Sequence, residues 1–480
     1  MLSKSQFNDR LHEELGFVPT AEQIETMRLL TDFVFDHNQN QLFILKGYAG
    51  TGKTTTISAL VRTLRVCRIK SVLLAPTGRA AKVFSNYARK KAFTIHKHIY
   101  KVETENGQSR FARKENKLKH TLFIVDEVSM IAHTSTEGTF FARQQLLSDL
   151  MHFVFDGESC KLLFMGDEAQ LPPVHLNFSP ALDIEYLKCQ FYLNVVGYQL
   201  TEVVRQALHS GILFNATRLR EKISNADATF PFFSGKIFPD FKNIAGSDVE
   251  ELYHTLYGKL DCDDIVTITR SNKRACRFNM EIRQRILFRE DRIAAGDYLM
   301  IVKNNYYWVD DRSEVGFLAN GEMIELLSIQ KTETLYGFCF ADVTVRLCDY
   351  PEHPDLSVKI LLDSIESDTP ALSPEQNRKL YDEIALDYAD IADPLSRFLK
   401  IKNDPYLNAL QVKFGYALTC HKTQGGQWQN VVVDCCFRDE PQQEIETLRW
   451  LYTAITRASR QVYLLNFPRR AFESEGLIVL

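Results

Sequence analysis

Eight consecutive residues, Gly47-Tyr48-Ala49-Gly50-Thr51-Gly52-Lys53-Thr54, place three glycines, a lysine and a hydroxyl in the spacing GxxxxGK[ST]. Such a run suits a chain of phosphates. Glycines let successive backbone N–H groups converge on the oxygens, Lys53 reaches the β and γ positions, and the Thr54 hydroxyl holds a magnesium ion. ATP and Mg2+ are therefore the expected cofactors, cradled by Gly47, Gly50, Thr51, Gly52, Lys53, Thr54 and Thr55. The bland reading, a glycine-rich turn that precedes a helix, does not account for so long a match. Further along, Asp126-Glu127 closes an apolar run, where a parallel sheet presents its carboxyl ends to a nucleotide. Asp126 would join Thr54 on magnesium and Glu127 would orient the attacking water. An acidic pair is usually only solvated charge, so this one gains its meaning from the phosphate loop before it.

Four more boxes narrow the chemistry. Gly166-Asp167-Glu168-Ala169-Gln170-Leu171-Pro172-Pro173 offers Gln170 as a sensor of γ-phosphate and water, or else a proline-rich turn with no role. Leu200-Thr201-Glu202-Val203-Val204-Arg205-Gln206 and Leu451-Tyr452-Thr453-Ala454-Ile455-Thr456-Arg457-Ala458 each offer an arginine, although a single arginine on a helix is more often a surface charge. Tyr416 to Gly425 packs hydroxyls, His421, Lys422 and Gln424 into one segment after a strand.

The elements that would position these residues follow from hydrophobic periodicity. Short β-type runs at Leu42–Leu45, Ser71–Ala75, Leu122–Val125 and Lys161–Met165 alternate with helical stretches, the pattern of a parallel sheet with crossover helices. Asp264–Thr269, followed by the helical Lys273–Phe288, begins a second α/β unit, completed by Gln411–Leu480 with strands at Val431–Asp434 and Val462–Asn466. Between them, Asp297–Val302, Glu322–Ile329 and Phe338–Leu347 alternate as antiparallel strands do, so a small inserted β-barrel carrying a helical excursion is expected. The fold class is α/β.

The chain has 480 residues, 45% apolar and 25% charged, ordinary usage for a folded protein. Its ten cysteines show no CxxC spacing, which predicts reduced thiols rather than a disulfide framework, a zinc site or an iron–sulfur site. Met1–Gln6 leads into no signal-like apolar stretch and no run approaches ~18 apolar residues, so a cytoplasmic chain with no membrane span is expected. Net charge is −4, yet between Val61 and His120 there are 16 Lys and Arg against 3 Asp and Glu, where a phosphate backbone could bind. Between Pro351 and Leu395 the balance reverses, 3 against 11. That acidic segment should stay off nucleic acid, and it offers a surface for a protein partner.

In order and combination these motifs resemble the five-prime to three-prime DNA helicases of superfamily one, the RecD-like and Dda-like enzymes. The likeness runs from Pro19-Thr20-Ala21-Glu22-Gln23 through the phosphate loop, Ala75-Pro76-Thr77-Gly78-Arg79-Ala80-Ala81, Thr94-Ile95-His96, the acidic pair and the later boxes, and so covers most of the chain. It implies two RecA-like P-loop domains with a small inserted SH3-like β-barrel and a short β-hairpin pin. The divisions expected are 1–215 with the hairpin at about 97–119, a connector of uncertain assignment at 216–261, a second domain at 262–325 and 411–480, and a barrel at 326–410 whose acidic excursion spans 364–408. It also implies Arg205 and Arg457 as fingers on the γ-phosphate, Gln23 as the reader of adenine, and Thr77, Arg79, His96, Thr419 and His421 as single-strand contacts. Gln23 serves equally as the third residue of a helix capping box begun by Thr20, and the other five suit loop or capping roles. The family usually has Ser at Thr423 and Val or Ile at Cys420, swaps that keep a hydroxyl or the size.

Asn106-Gly107 between two β-like runs is a strong hairpin signal. Phe111 on that hairpin would stack a base at the duplex junction, unless it simply packs beneath it. The function expected is an ATP-dependent DNA helicase, active as a monomer on single-stranded DNA and duplex junctions. A nucleic-acid-stimulated ATPase that remodels a protein–DNA complex is the competing reading, separated by whether a tailed duplex releases its strand. A small-molecule kinase is disfavoured by the second arginine and the remote boxes.

Overall fold

The computed structural model describes residues 3–105, 108–132, 145–203, 210–234, 238–310, 315–435 and 444–472. Its first unit holds α1 (Lys4–Leu15), α2 (Ala21–Phe35), β1 (Gln41–Gly47), α3 (Lys53–Val66), β2 (Lys70–Ala75), α4 (Gly78–Ala88), β3 (Ala92–Thr94) and α5 (Ile95–Ile99). The chain continues through β4 (Tyr100–Glu105), β5 (Gln108–Arg113), β6 (Thr121–Val125), α6 (Leu146–Phe155), β7 (Lys161–Gly166), α7 (Ile184–Phe191) and β8 (Asn194–Leu200). Six strands form one parallel sheet in the order β3-β2-β6-β7-β1-β8. Both faces are covered, which is why the central strands read as continuous apolar runs rather than alternating ones. In β1 the two-residue period separates the cores: Phe43 and Leu45 pack with α1, α2 and α3, whereas Leu42 and Ile44 pack with α5 and α6. The antiparallel pair β4–β5 stands apart from this sheet, in register from Tyr100 opposite Arg113 to Glu105 opposite Gln108. Its expected turn, Asn106-Gly107, lies outside the described residues.

The second unit contains α8 (Gly211–Ser224), β9 (Phe241–Ile244), α9 (Val249–Tyr257), β10 (Ile265–Thr269) and α10 (Asn272–Glu281). A π-helical turn, Ile282–Ile286, extends α10. Next come β11 (Tyr298–Ile301), β12 (Met323–Leu335), β13 (Phe338–Leu347), β14 (Leu356–Leu361), α11 (Asp363–Glu366), α12 (Pro374–Asp387), α13 (Pro394–Lys402) and β15 (Leu410–Phe414). The last elements are β16 (Ala417–Thr419), α14 (Cys420–Thr423), β17 (Trp428–Asp434), α15 (Ile445–Ile455) and β18 (Ala458–Leu465). Five of these strands make a second parallel sheet, β16-β10-β17-β18-β9, and β11 to β15 close a barrel.

Two expected boundaries move. The connector 216–261 supplies β9, which pairs with β18 as the sheet's edge, so the second sheet begins at Phe241 rather than after residue 261. Its four residues are too few, and their burial too uneven, to show a strand period. The barrel begins at Tyr298 rather than at 326, because the fully buried β11 pairs with both β12 and β15. The helical excursion packs Leu380, Ile384 and Ile401 against Phe338, Phe340 and Leu361 at one end of the barrel.

A buried ion pair locks barrel to sheet. Arg283, in the π turn, donates Nε and Nη2 to the two oxygens of Asp297 at 2.9 Å each, and both side chains are essentially inaccessible. Arg289 adds a 2.9 Å contact to Asp297 and donates to the Tyr416 hydroxyl, directly before β16. Removing one partner of such a pair strands the other's charge in the interior, at a cost of about 3–5 kcal/mol. Asp297→Ala is therefore expected to lower unfolding free energy in urea by that amount; a loss under ~1 kcal/mol would show that the network does not hold the junction.

Candidate nucleotide and nucleic-acid site

The phosphate loop leaves β1 and turns into α3. Gly50 and Gly52 adopt φ of 78° and 82°, a backbone region that side chains disfavour, and a Cβ on Gly47 would come within 2.8 Å of the Lys53 side chain. The loop thus needs glycine at each place. Gly52 caps α3 without any side-chain bond, leaving first-turn amides and the positive end of the helix dipole open to an anion. Lys53 donates to the carbonyls of Gly47 and Tyr48 at 2.5 and 2.9 Å, and Thr51 donates to Tyr48. Thr54 and Thr55 are half-buried in the first turn of α3. Gln23 performs its capping role, since its Oε1 accepts from Thr20 N–H at 3.0 Å, and its Nε2 also reaches the Thr51 carbonyl at 3.3 Å. The same buried side chain therefore caps α2 and touches the phosphate loop.

Asp126 and Glu127 emerge at the carboxyl end of β6. Burial raises the Asp126 carboxyl above its usual range and the adjacent Glu127 raises it further. Glu127 sits at φ 52°, a costly conformation for a non-glycine residue. From the second unit, Arg457 brings Nη1 to 3.6 Å from Glu127 Oε1 while its Nε donates to the Thr453 carbonyl. Arg205, the other expected finger, lies outside the described residues. Gln170 is buried, and its Oε1 has no hydrogen-bond partner among the described residues. Such an acceptor needs a donor, and a water or a ligand would supply one.

Four side chains from the second unit hold the turn that carries Gln170. The Arg449 guanidinium donates to the Glu168 carbonyl, the Tyr452 hydroxyl to Asp167 at 2.6 Å, and Gln424 Nε2 to the Leu171 carbonyl at 2.7 Å. Thr453 Oγ1 accepts from Leu171 N–H at 2.9 Å. The sequence boxes contain three of the four, and Arg449 lies just before the last box, but which atoms face the turn depends on packing that periodicity does not report.

The residues expected on a nucleic-acid strand are only partly free for that role. Thr77, Arg79, Met323, Leu418, Lys422 and Trp428 line one cleft where both sheets meet the barrel. Thr77 caps α4 through Ala80 N–H. Arg79 is engaged with protein groups: its guanidinium pairs with Asp263 at 3.0 Å, donates to the Gln427 carbonyl and lies 4.0 Å over the Trp428 ring. It clamps α4 to the second unit. Thr419 stands at the start of α14 without making a cap bond. His421 is half-buried, and burial lowers its pKa. His96, 5.8 Å from the Tyr100 ring, is pushed down to about 4 by burial, so at neutral pH it offers no positive charge. Phe111 belongs to β5, but its side chain lies outside the described residues.

Residues 31–176 match the family model of an AAA domain and residues 414–465 that of the UvrD-like helicase C-terminal domain. The ATP-dependent DNA helicase dda of Enterobacteria phage T4 is 26% identical across 87% of this chain and 93% of its own. The ATP-dependent RecD2 DNA helicase of Deinococcus radiodurans is 29% identical across 36% of this chain and 21% of its own. The chain is thus similar to superfamily-one helicases in both of its units. An uncharacterised protein of Acanthamoeba polyphaga mimivirus is 23% identical over 92% of this chain and 98% of its own. Among solved structures, a Bacteroides Pif1 helicase in complex with ADP-AlF3 and single-stranded DNA aligns at TM-score 0.45 and 15% identity, over 96% of this chain and 95% of that one.

Two buried histidines, His96 and His98, are expected to make the stability of the chain depend on pH. Burial pushes His98, among Phe93, Phe123 and Phe153, down to about 4, with nearby Lys114 adding to the effect. In the unfolded chain histidine titrates near ~6.5. Between those values the unfolded state binds more protons, so stability falls as pH drops from about 6.5 toward 4. His98→Leu should flatten part of that decline when urea midpoints at pH 7 and pH 5 are compared. An unchanged difference would mean that the ring is charged in the fold.

Proposed function

We propose that this chain is an ATP-driven motor that moves five-prime to three-prime on single-stranded DNA and opens duplex ahead of it. The observation that carries the proposal is the reach of Arg457 from the second unit to Glu127 in the first, which makes the nucleotide site a joint property of both sheets. The two units are read as RecA-like domains and the barrel as the SH3-like insertion. The names of the T4 and Deinococcus relatives support action on DNA.

In this reading ATP lies on the loop Gly47–Thr54, with Lys53 turning from its own loop carbonyls to the phosphates. Thr54 and Asp126 supply hard oxygen donors of the kind Mg2+ prefers, and a cation there would relieve the crowding of Asp126 by Glu127. A cation held by these residues would supply charge neutralisation to the phosphates. Glu127 orients water, Gln170 completes the contact with its open Oε1, and Arg457 stabilises transition-state charge, an effect worth ~10³–10⁵ in rate in related chemistry. Strand would run along the cleft that Thr77, Lys422 and Trp428 line, with the Arg79 clamp loosening as the sheets move.

Strand displacement with tailed duplexes tests the reading. A five-prime-tailed duplex should release its strand and a three-prime-tailed one should not; the opposite preference, or release from neither, overturns the proposal. Lys53→Ala should lose ATP turnover while strand affinity stays within about threefold, because the lysine serves phosphate and the cleft lies on other loops. Turnover at the parent rate would remove the site.

The pair β4–β5 is proposed as a pin. Its base is fixed to the first unit by the Tyr100 hydroxyl on Asp149 at 2.6 Å and by Lys114 N–H on the Ile99 carbonyl at 2.7 Å. A wedge that splits base pairs needs such an anchor, since one base-pair step costs ~1.4 kcal/mol to separate. Replacing 102–112 with a short Gly-Ser loop, which keeps both anchors, should abolish unwinding while strand-stimulated hydrolysis survives. Unwinding at the parent rate would make the hairpin an ornament.

A further inference from the structure

The Tyr452 side chain is buried, and its hydroxyl is used on both sides. It accepts from the Ala49 N–H, inside the phosphate loop, at 2.9 Å and donates to Asp167 Oδ2 at 2.6 Å. Asp167 Oδ1 accepts in turn from Ala169 N–H at 2.9 Å, within the turn that carries Gln170. Ala49, Asp167 and Ala169 belong to the first unit, whereas the hydroxyl that joins them comes from α15 of the second. A tyrosine ring is rigid and its hydroxyl sits at a fixed reach, so this bridge exists only when α15 is docked.

We infer that Tyr452 is a positioning residue that sets the phosphate loop and the Gln170 turn in one mutual geometry when the two units close. The inference rests on the ATP-motor reading and deepens it. One hydroxyl fixes the direction of a loop amide and the place of a buried carboxylate, and that carboxylate anchors the segment whose glutamine would meet the γ-phosphate. With the hydroxyl gone, each half of the site keeps its own fold and its affinity for nucleotide. What is lost is the agreement between them, which matters most in the transition state, when phosphate and water must be held together. A residue that merely filled space would act differently: its loss would lower the melting temperature and leave kcat and KM alone.

Tyr452→Phe removes the hydroxyl and keeps the ring. Measured with saturating single-stranded DNA, kcat for ATP hydrolysis should fall about ten- to a hundredfold, as expected for an unmade buried hydrogen bond expressed in the barrier. KM for ATP should stay within about threefold and the melting temperature within about 2 °C of the parent. Asp167→Asn should lower kcat similarly, and the double variant should be no slower than the slower single, because the two residues act as one unit. If Tyr452→Phe melts below the assay temperature, Asp167→Asn decides by the same thresholds. A fall in kcat of less than about threefold, an equal change in KM, or additive losses would each overturn the inference while leaving the motor intact. A parent without strand-stimulated hydrolysis would overturn the motor and this inference with it.

Discussion

The second sheet can bring Arg457 to Glu127 only if it has a defined seat on the first, and that seat is the turn Gly166–Leu171. Ala169 and Leu171 leave the first unit and pack into the core of the second, while Arg449, Tyr452, Thr453 and Gln424 bind the turn's polar groups. Buried polar bonds of this kind contribute ~1 kcal/mol each, so together they hold the units in register without fusing them. A large apolar interface would have locked the cleft. Four directional bonds around a small apolar plug can be broken and remade as one group.

A second seat lies on the far side of α4. Arg79 and Lys82 project from that helix to Asp263 and Asp349, tying it to both the second sheet and the barrel. The Asp349 carboxyl is raised by burial, and nearby Lys82 only partly offsets this. The closed arrangement therefore spends the positive charges of α4 on protein carboxylates. Any strand entering the cleft competes with Asp263 for Arg79, and its phosphates have charge with which to do so.

Residues whose identity is forced by local chemistry were legible in the sequence. The glycines at 47, 50 and 52, the lysine at the head of α3 and the acidic pair after β6 follow from backbone geometry and charge, and apolar runs placed the central strands. Features that depend on tertiary partners were not. The short strand Phe241–Ile244 has too few residues for a period, and although Asp297–Val302 read as a strand, its pairing with both β12 and β15 is what assigns it to the barrel. The resemblance offers Arg79 as a strand contact, and nothing local to it announces its partners Asp263 and Trp428, which lie far along the chain. Gln23 caps its helix and also touches the phosphate loop, so the capping reading is physically met and the nucleotide reading stays within reach. Tyr452 was visible only as an aromatic on an apolar helix, where core packing is the default expectation.

The π turn after α10 has a consequence for how this chain tolerates change. A π turn amounts to one residue inserted into an α-helix, and each residue of an α-helix advances the side chains by about 100°. Deleting a single residue between Ile282 and Ile286 would restore ordinary winding and swing the neighbouring side chains by that angle. Arg283 would then leave Asp297, and the Tyr416 hydroxyl at the root of β16 would keep Asp297 and the Tyr298 N–H but risk losing Arg289. Arg283 is fixed by its buried carboxylate partner, whereas substitutions elsewhere in the turn can be absorbed by repacking and a one-residue deletion cannot, so the turn's length constrains the chain as strictly as that arginine does.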